Sequence, residues 1–162
     1  MEYTISVLVE NHFGVLARLS QLISARGFNI VSLSVGETED PSMSRMTIVI
    51  DGDERVMEQV KKQLNKQIDV IRVLDLTSKN PVERELALIK VSADASVRSQ
   101  IIEIVDIFRA TIVDVSHKSV MIEATGDTKK INALIDMLRM YGVREIARTG
   151  KIALARSDIN KE

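Results

Sequence analysis

Apolar positions change their period several times along the chain. Tyr3, Ile5, Val7 and Val9 alternate with Thr4, Ser6 and Glu10, the two-residue period of a strand with one buried face. After a turn at Asn11-His12-Phe13-Gly14, Val15, Leu16, Leu19, Leu22 and Ile23 recur at helical spacing with Arg18, Gln21, Ser24 and Arg26 opposite, and Gly27 supplies a left-handed stop. Phe28 to Val35 is rich in β-branched residues, and beyond a loop around Pro41 the alternation returns at Met46, Ile48 and Ile50. Asp51-Gly52-Asp53 turns the chain into a second helix marked by Val56, Val60 and Leu64, and Ile68 to Leu76 predicts a fourth strand. The order is βαββαβ.

The same order follows a break at Thr77-Ser78-Lys79-Asn80-Pro81. The spacing predicts strand Glu85 to Ser92, helix Ser96 to Arg109, strands Thr111 to Ser116 and Ser119 to Thr125, helix Thr128 to Tyr141 and strand Val143 to Arg148. Ile30-Val31-x-x-Ser34 aligns with Ile112-Val113-x-x-Ser116, and Asp51-Gly52-Asp53 with Thr125-Gly126-Asp127, so the chain reads as two copies of one unit. Right-handed crossovers put both helices of a unit on one face of a four-stranded antiparallel sheet, which gives an α+β chain of two tandem ferredoxin-like βαββαβ sandwiches. The expected organisation is a first domain over 1–77, a linker over 78–83, a second domain over 84–150 and a fraying tail over 151–162. A unit of roughly 75 residues with one bare sheet face is near the lower limit for independent stability, which argues for an oligomer. The strand from Phe28 to Val35, with Val31, Leu33 and Val35 and no charge, is an edge that a second copy would pair, giving a two-fold homodimer.

Composition narrows the function. In 162 residues, 45% hydrophobic and 28% charged content excludes a disordered or collagen-like chain. No apolar run approaches the roughly 20 residues of a membrane span, and Met1-Glu2-Tyr3-Thr4 lacks the basic and apolar regions of a secretory signal, so a cytoplasmic protein without membrane contact is expected. The absence of cysteine closes thiol, disulfide and thiolate-metal chemistry. Twenty-two basic against 23 acidic residues argue against nucleic-acid binding, and Ile48 and Ile50 stand where an RNA-binding βαββαβ domain would carry stacking rings.

Candidate chemistry is correspondingly sparse. His12 and His117 lie in different copies, neither with an acid at ligand spacing, so no metal site is expected. There is no Gly-x-Ser-x-Gly elbow and no glycine-rich phosphate loop, and the first strand–helix turn has no Arg or Lys to grip phosphate as acylphosphatases of this fold do. No catalytic residue is expected. That turn is nonetheless distinctive, because Gly14 lets a ligand approach the backbone and the following helix offers free N–H groups and a positive dipole end to an anion such as an amino-acid carboxylate. The Asn11 amide can both donate and accept, and Asn29 at the start of the edge strand offers the same from a dimer mate. The same residues also serve a plain turn and cap. The equivalent turn of the second copy, Ser92-Ala93-Asp94-Ala95-Ser96, carries an acid that would repel a carboxylate, which points to a structural or partner-binding copy. Arg139, Arg144 and Arg148 are expected to form a solvated basic surface.

The segment Val7-Leu8-Val9-Glu10-Asn11-His12-Phe13-Gly14-Val15-Leu16-Ala17-Arg18-Leu19, with Arg26-Gly27-Phe28-Asn29-Ile30, Ser32-Leu33-Ser34-Val35-Gly36, Arg45-Met46-Thr47-Ile48-Val49, Lys66-Gln67-Ile68-Asp69-Val70 and Arg84-Glu85-Leu86-Ala87-Leu88-Ile89-Lys90-Val91, resembles the regulatory (small) subunits of acetolactate synthase, also called acetohydroxyacid synthase. The resemblance spans essentially the whole chain. The first copy is similar to an ACT domain, a module that binds amino acids between paired copies, and the second is ACT-like; Asn11 and Phe13 stand where general ACT domains often carry the acid and proline of Asp-x-Pro-Gly. The resemblance implies a non-catalytic subunit that associates with a separate catalytic (large) subunit, raises its activity and confers feedback inhibition by valine. It also implies that thiamine diphosphate, FAD and magnesium belong to that partner, with no cofactor on this chain. The expected effector-binding set is Asn11, His12, Phe13, Gly14, Val15, Leu16, Asn29 and Ile30, with Val15, Leu16 and Ile30 as apolar walls and His12 and Phe13 framing the mouth. The alternative is a free-standing ACT-type amino-acid sensor acting on another enzyme or regulator.

Overall fold

The computed structural model describes residues 1–157. Two compact units form, one from residues 1–82 together with the segment beginning at Lys151, the other from residues 83–150.

The first unit contains β1 (Glu2–Glu10), α1 (Val15–Ser24), β2 (Asn29–Glu37), β3 (Met43–Asp51), α2 (Glu54–Asn65) and β4 (Val70–Asp75), with strands ordered β2-β3-β1-β4. Antiparallel register sets Ile5 against Ile48 and Val7 against Met46, so the alternating apolar residues share one face. Leu19, Ile23, Val60 and Leu64 close on that face from the two helices and are fully buried. Asp53 caps α2 by accepting a hydrogen bond from Val56 N at 2.9 Å, and Gly27, at φ +73°, follows the end of α1.

The second unit repeats the plan with β5 (Val82–Ser92), α3 (Arg98–Ile107), β6 (Thr111–Val115), β7 (Ser119–Gly126), α4 (Thr128–Leu138), a 3₁₀ turn over Arg139–Tyr141 and β8 (Val143–Arg148). Strand order is β6-β7-β5-β8, and Ala87, Ile89, Val91, Ile101, Ile122 and Leu134 form its core. Asp127 caps α4 through Lys130 N at 2.8 Å, as Asp53 caps α2. Both units are ferredoxin-like sandwiches, as the periodicity predicts.

Three details depart from the expectations drawn from periodicity. The linker expected over 78–83 is shorter, because β5 already begins at Val82. The segment expected to fray from Lys151 instead forms β9 (Ile152–Leu154): Ala153 is buried and its N–H donates to Thr47 Oγ1 at 3.4 Å, which gives this apolar stretch a seat on the first unit. The rest of that tail, 158–162, lies outside the described residues. Finally, Arg144 and Arg148 are not simply solvated. Arg148 ion-pairs with Glu85, which is 5% exposed, and Arg144 Nε donates to Ser92 Oγ at 2.8 Å; Arg139 remains exposed, beside Asp136. Among the described residues no helix is long and apolar enough to cross a membrane.

Candidate functional site

The turn between β1 and α1 is held open by backbone geometry. Gly14 occupies the position before the helix at φ +84°, a left-handed conformation that L side chains resist, and a Cβ placed there would lie 3.3 Å from Arg18 Nη1. No side chain caps α1, its first turn has no acid, and Val15 N reaches only His12 O, at 3.4 Å. An exposed anion would therefore meet free N–H groups, the positive helix end and the neighbouring guanidinium.

The rest of the turn is organised by charge and by the β2–β3 hairpin. Asn11 donates from its backbone N to Ser42 O at 2.7 Å, and its Nδ2 donates to Pro41 O at 2.9 Å and Glu37 Oε1 at 3.3 Å. Both amide protons are thus committed to the hairpin, leaving Oδ1 as the group Asn11 can offer a ligand, which suits an ammonium. His12 Nε2 lies 3.0 Å from both Glu10 Oε2 and Asp69 Oδ1, while Arg18 pairs with the other Asp69 oxygen. The hydrogen bond to Glu10, aided by a contact with the Phe13 backbone and the charges of Asp69 and Glu10, raises the His12 pKa above the ordinary 6.5 despite some loss of hydration.

Glu10, His12 and Asp69 bring three possible ligand atoms within 4.8 Å of one another. The expectation that His12 has no acid at ligand spacing fails at Glu10, two residues before it, whereas Asp69 lies far along the chain and sequence spacing carried no sign of it. Arg18 faces one of its carboxylates and His12 both, so the cluster balances its own charge when the imidazole is protonated. Arg18, expected on a solvated helix face, Glu10, read as a polar strand position, and Asp69 are therefore site-forming residues that the periodicity did not single out.

The remaining expected site residues separate. Phe13 is fully exposed and Leu16 about half exposed beside Gly14, so both can meet a ligand. Val15 cannot wall an external pocket: at 3% exposure it packs into the core. Ile30 is half buried against the same core. Asn29 is exposed but sits at the opposite end of the sheet from Asn11, since Asn29 and Glu2 both register with Asp51 whereas Glu37 and Glu10 register with Ser44 and Met43. Eight residues of strand separate the two ends, roughly 26 Å. Asn11 and Asn29 of one chain do not form one site.

In the second unit the corresponding turn is already filled. The Asp94 carboxylate accepts hydrogen bonds from Ser96 Oγ and Ser96 N, which hold its pKa below the ordinary value. Arg98 spans the turn by donating to Ala93 O at 2.9 Å and Ser116 O at 2.6 Å.

Comparisons with known proteins extend over both units. Residues 5–72 match a family described as the AHAS small subunit-like ACT domain, and residues 84–157 match one described as the small subunit of acetolactate synthase. The chain is 56% identical over 158 residues to a probable acetolactate synthase small subunit of Archaeoglobus fulgidus, covering 98% of this chain and 99% of that one. It is also 56% identical over 154 residues to the acetolactate synthase small subunit of Mycolicibacterium smegmatis, covering 95% of this chain and 91% of its relative. Among solved structures it is similar to the acetolactate synthase small subunit of Thermotoga maritima, with a TM-score of 0.88 and 43% identity over 96% of this chain and 98% of that one.

Proposed function

Because the chain belongs to the acetolactate synthase small-subunit family, a regulatory and not a catalytic subunit with a separate catalytic partner, we propose that it activates that partner and makes it sensitive to valine bound between two first units. The observation that carries this reading is the placement of the two asparagines on one sheet. β2 is an edge strand, with Val31 and Val35 nearly half exposed. Antiparallel pairing of β2 with its counterpart in a second copy, centred near Leu33, would set Asn29 of one chain opposite Glu37 of the other, and Glu37 is hydrogen-bonded to Asn11. Two sites related by the two-fold axis then each combine the Asn11–Gly14 turn of one chain with Asn29 of its mate.

In such a site the valine carboxylate meets the open α1 N-terminus near Arg18, and the ammonium meets Asn11 Oδ1. Phe13 and Leu16 supply apolar surface to the branched side chain. Valine can inhibit only by binding one dimer arrangement more tightly than the other, and the catalytic subunit reads that arrangement. Thiamine diphosphate, FAD and magnesium belong to the catalytic subunit in this reading. The filled turn around Asp94 and Arg98 suits the second unit to a structural or partner-contacting part.

The test is calorimetry of the purified chain with valine, glutamate serving as control and sedimentation fixing the oligomer, followed by reconstitution with the catalytic subunit. Saturable, valine-selective binding at one or two sites per dimer, and a catalytic rate raised by the chain and lowered again by valine, are expected. A reconstituted enzyme indifferent to valine would remove the effector assignment. Co-purification with an unrelated enzyme in place of the catalytic subunit would instead favour a free-standing sensor.

A further inference from the structure

The helix-free face of the first unit's sheet carries a cleft with an unmet chemical requirement. Thr4, Ser6 and Leu8 of β1 point away from the α1–α2 core, and the register brings Arg45 of β3 and Arg72 of β4 to either side of Leu8 on that face. The segment from Lys151 crosses part of the face, with Lys151 Nζ donating to Thr4 Oγ1 at 3.4 Å and Ala153 seated against Thr47. Toward Leu8 a cavity of about 160 Å³ remains open. Ser6 and Leu8 line its floor, Arg45 and Arg72 its flanks, and Leu74 and Leu154 supply apolar wall.

Arg45 Nη1 donates to Ser6 Oγ at 3.0 Å, which fixes the hydroxyl and one guanidinium together. Arg18, Arg139 and Arg148 each have a carboxylate partner, whereas among the described residues neither Arg45 nor Arg72 is in an ion pair. Two guanidiniums flanking one leucine without a counter-charge repel each other, and an anion between them would relieve that repulsion. Planar guanidinium groups favour a planar, two-oxygen anion, and the leucines favour hydrocarbon attached to it. A cavity of about 150 Å³ accommodates benzene, so this one fits a ligand of roughly six to ten heavy atoms.

We propose that this cleft binds a short aliphatic carboxylate that lacks an ammonium group. Among the described residues no carboxylate lines the cavity, so an amino acid would bring its positive nitrogen against two arginines with none of these residues to receive it. The cleft therefore selects against valine and is distinct from the Gly14 turn, and the inference does not rest on the valine reading. Acetolactate, which gives the family its name, is a branched carboxylate without an ammonium and falls within the class.

The probe is isovalerate, the ammonium-free analogue of valine, titrated calorimetrically into the full chain beside valine and inorganic phosphate. Saturable isovalerate binding is expected, unchanged in Gly14→Asp and weakened about tenfold or more in Arg72→Gln, an exposed position whose neutralisation leaves the fold intact. Leu154→Trp, which fills the cavity, should abolish binding while the thermal midpoint reports folding. Absence of saturation, or wild-type affinity in Arg72→Gln, would overturn the proposal. Phosphate binding as tight as isovalerate would also overturn it, because charge alone would then account for the site.

Discussion

His12 is the titrating residue of the β1–α1 turn, and its raised pKa fixes the sign of a pH effect. A histidine whose folded-state pKa lies above the ordinary 6.5 contributes stabilisation that is present below that value and is lost as pH rises through the raised one. Nuclear magnetic resonance titration of the imidazole should give a midpoint above 6.5, and Glu10→Gln should lower it by removing the strongest hydrogen bond. Valine binding should weaken as pH rises through the His12 midpoint found in that titration, where a cation of the turn is lost. Gly14 allows backbone strain and charge to be separated. Gly14→Ala and Gly14→Asp both force a side chain into φ +84° and should each lose about 1–2 kcal/mol in urea denaturation. Activation should survive in both, with valine inhibition kept in the alanine variant and lost in the aspartate variant, whose carboxylate occupies the ligand's place. The uncapped helix end at Gly14 was legible because a glycine stands directly before an apolar helix, in the place of the usual capping side chain, and leaves the helix N–H groups open. Arg18 and Asp69 were not, since their pairing joins α1 to the residue before β4, and local periodicity carries no information about such contacts.

At the scale of elements, the internal repeat was legible in its order and aligned motifs, and the structure extends it to irregularities of register. Ile30-Val31 and Ile112-Val113 align in sequence, and in the sheets β2 and β6 both shift register at that valine. The two central strands shift at matching points as well, between Leu8 and Val9 and between Lys90 and Val91. Bulges of this kind raise local twist, so a duplicated sequence preserves them with its apolar pattern. The seat of β9 was hidden because three residues, Ile152 to Leu154, are too few to establish a period. Arg148 was misread for a different reason. Nothing local distinguishes an arginine that solvates a strand end from one that reaches back to a buried acid, and Glu85 lies on β5, next to β8 in the sheet and far away in sequence. Removing the guanidinium leaves Glu85 buried with, among the described residues, the Thr128 hydroxyl as its side-chain hydrogen-bond donor, at 3.3 Å. Arg148→Ala should therefore destabilise the second unit by about 2–3 kcal/mol in denaturant unfolding, and Arg148→Lys should recover part of that loss. Equal stability of wild type and Arg148→Ala would return this residue to the solvated surface.

For the whole molecule, the proposed regulation requires that ligand occupancy and the arrangement of the two chains share one free energy. A site divided between two chains meets this requirement directly, because separating the chains destroys the site and filling it holds the chains together. The exposed edge of β2 is where that coupling can be broken without touching the turn. Val31 and Val35 lie outside the buried core, so Val31→Lys with Val35→Lys should leave the first unit folded while placing like charges across a two-fold strand pairing. Sedimentation should show a monomer over concentrations at which the parent chain is dimeric, and circular dichroism should show the same secondary structure. Calorimetry should show no valine binding, although every residue of the Asn11–Gly14 turn is retained. The opposite combination is equally informative: a monomer that binds valine with parental affinity would mean that one chain completes the site, leaving Asn29 no part in it. A doubly charged variant that stays dimeric would place the subunit contact away from β2. In a coupled dimer, a tenfold preference of valine for one arrangement corresponds to about 1.4 kcal/mol, and because a separated chain lacks the site, association should tighten with valine by a factor of 1 + [valine]/Kd for each site.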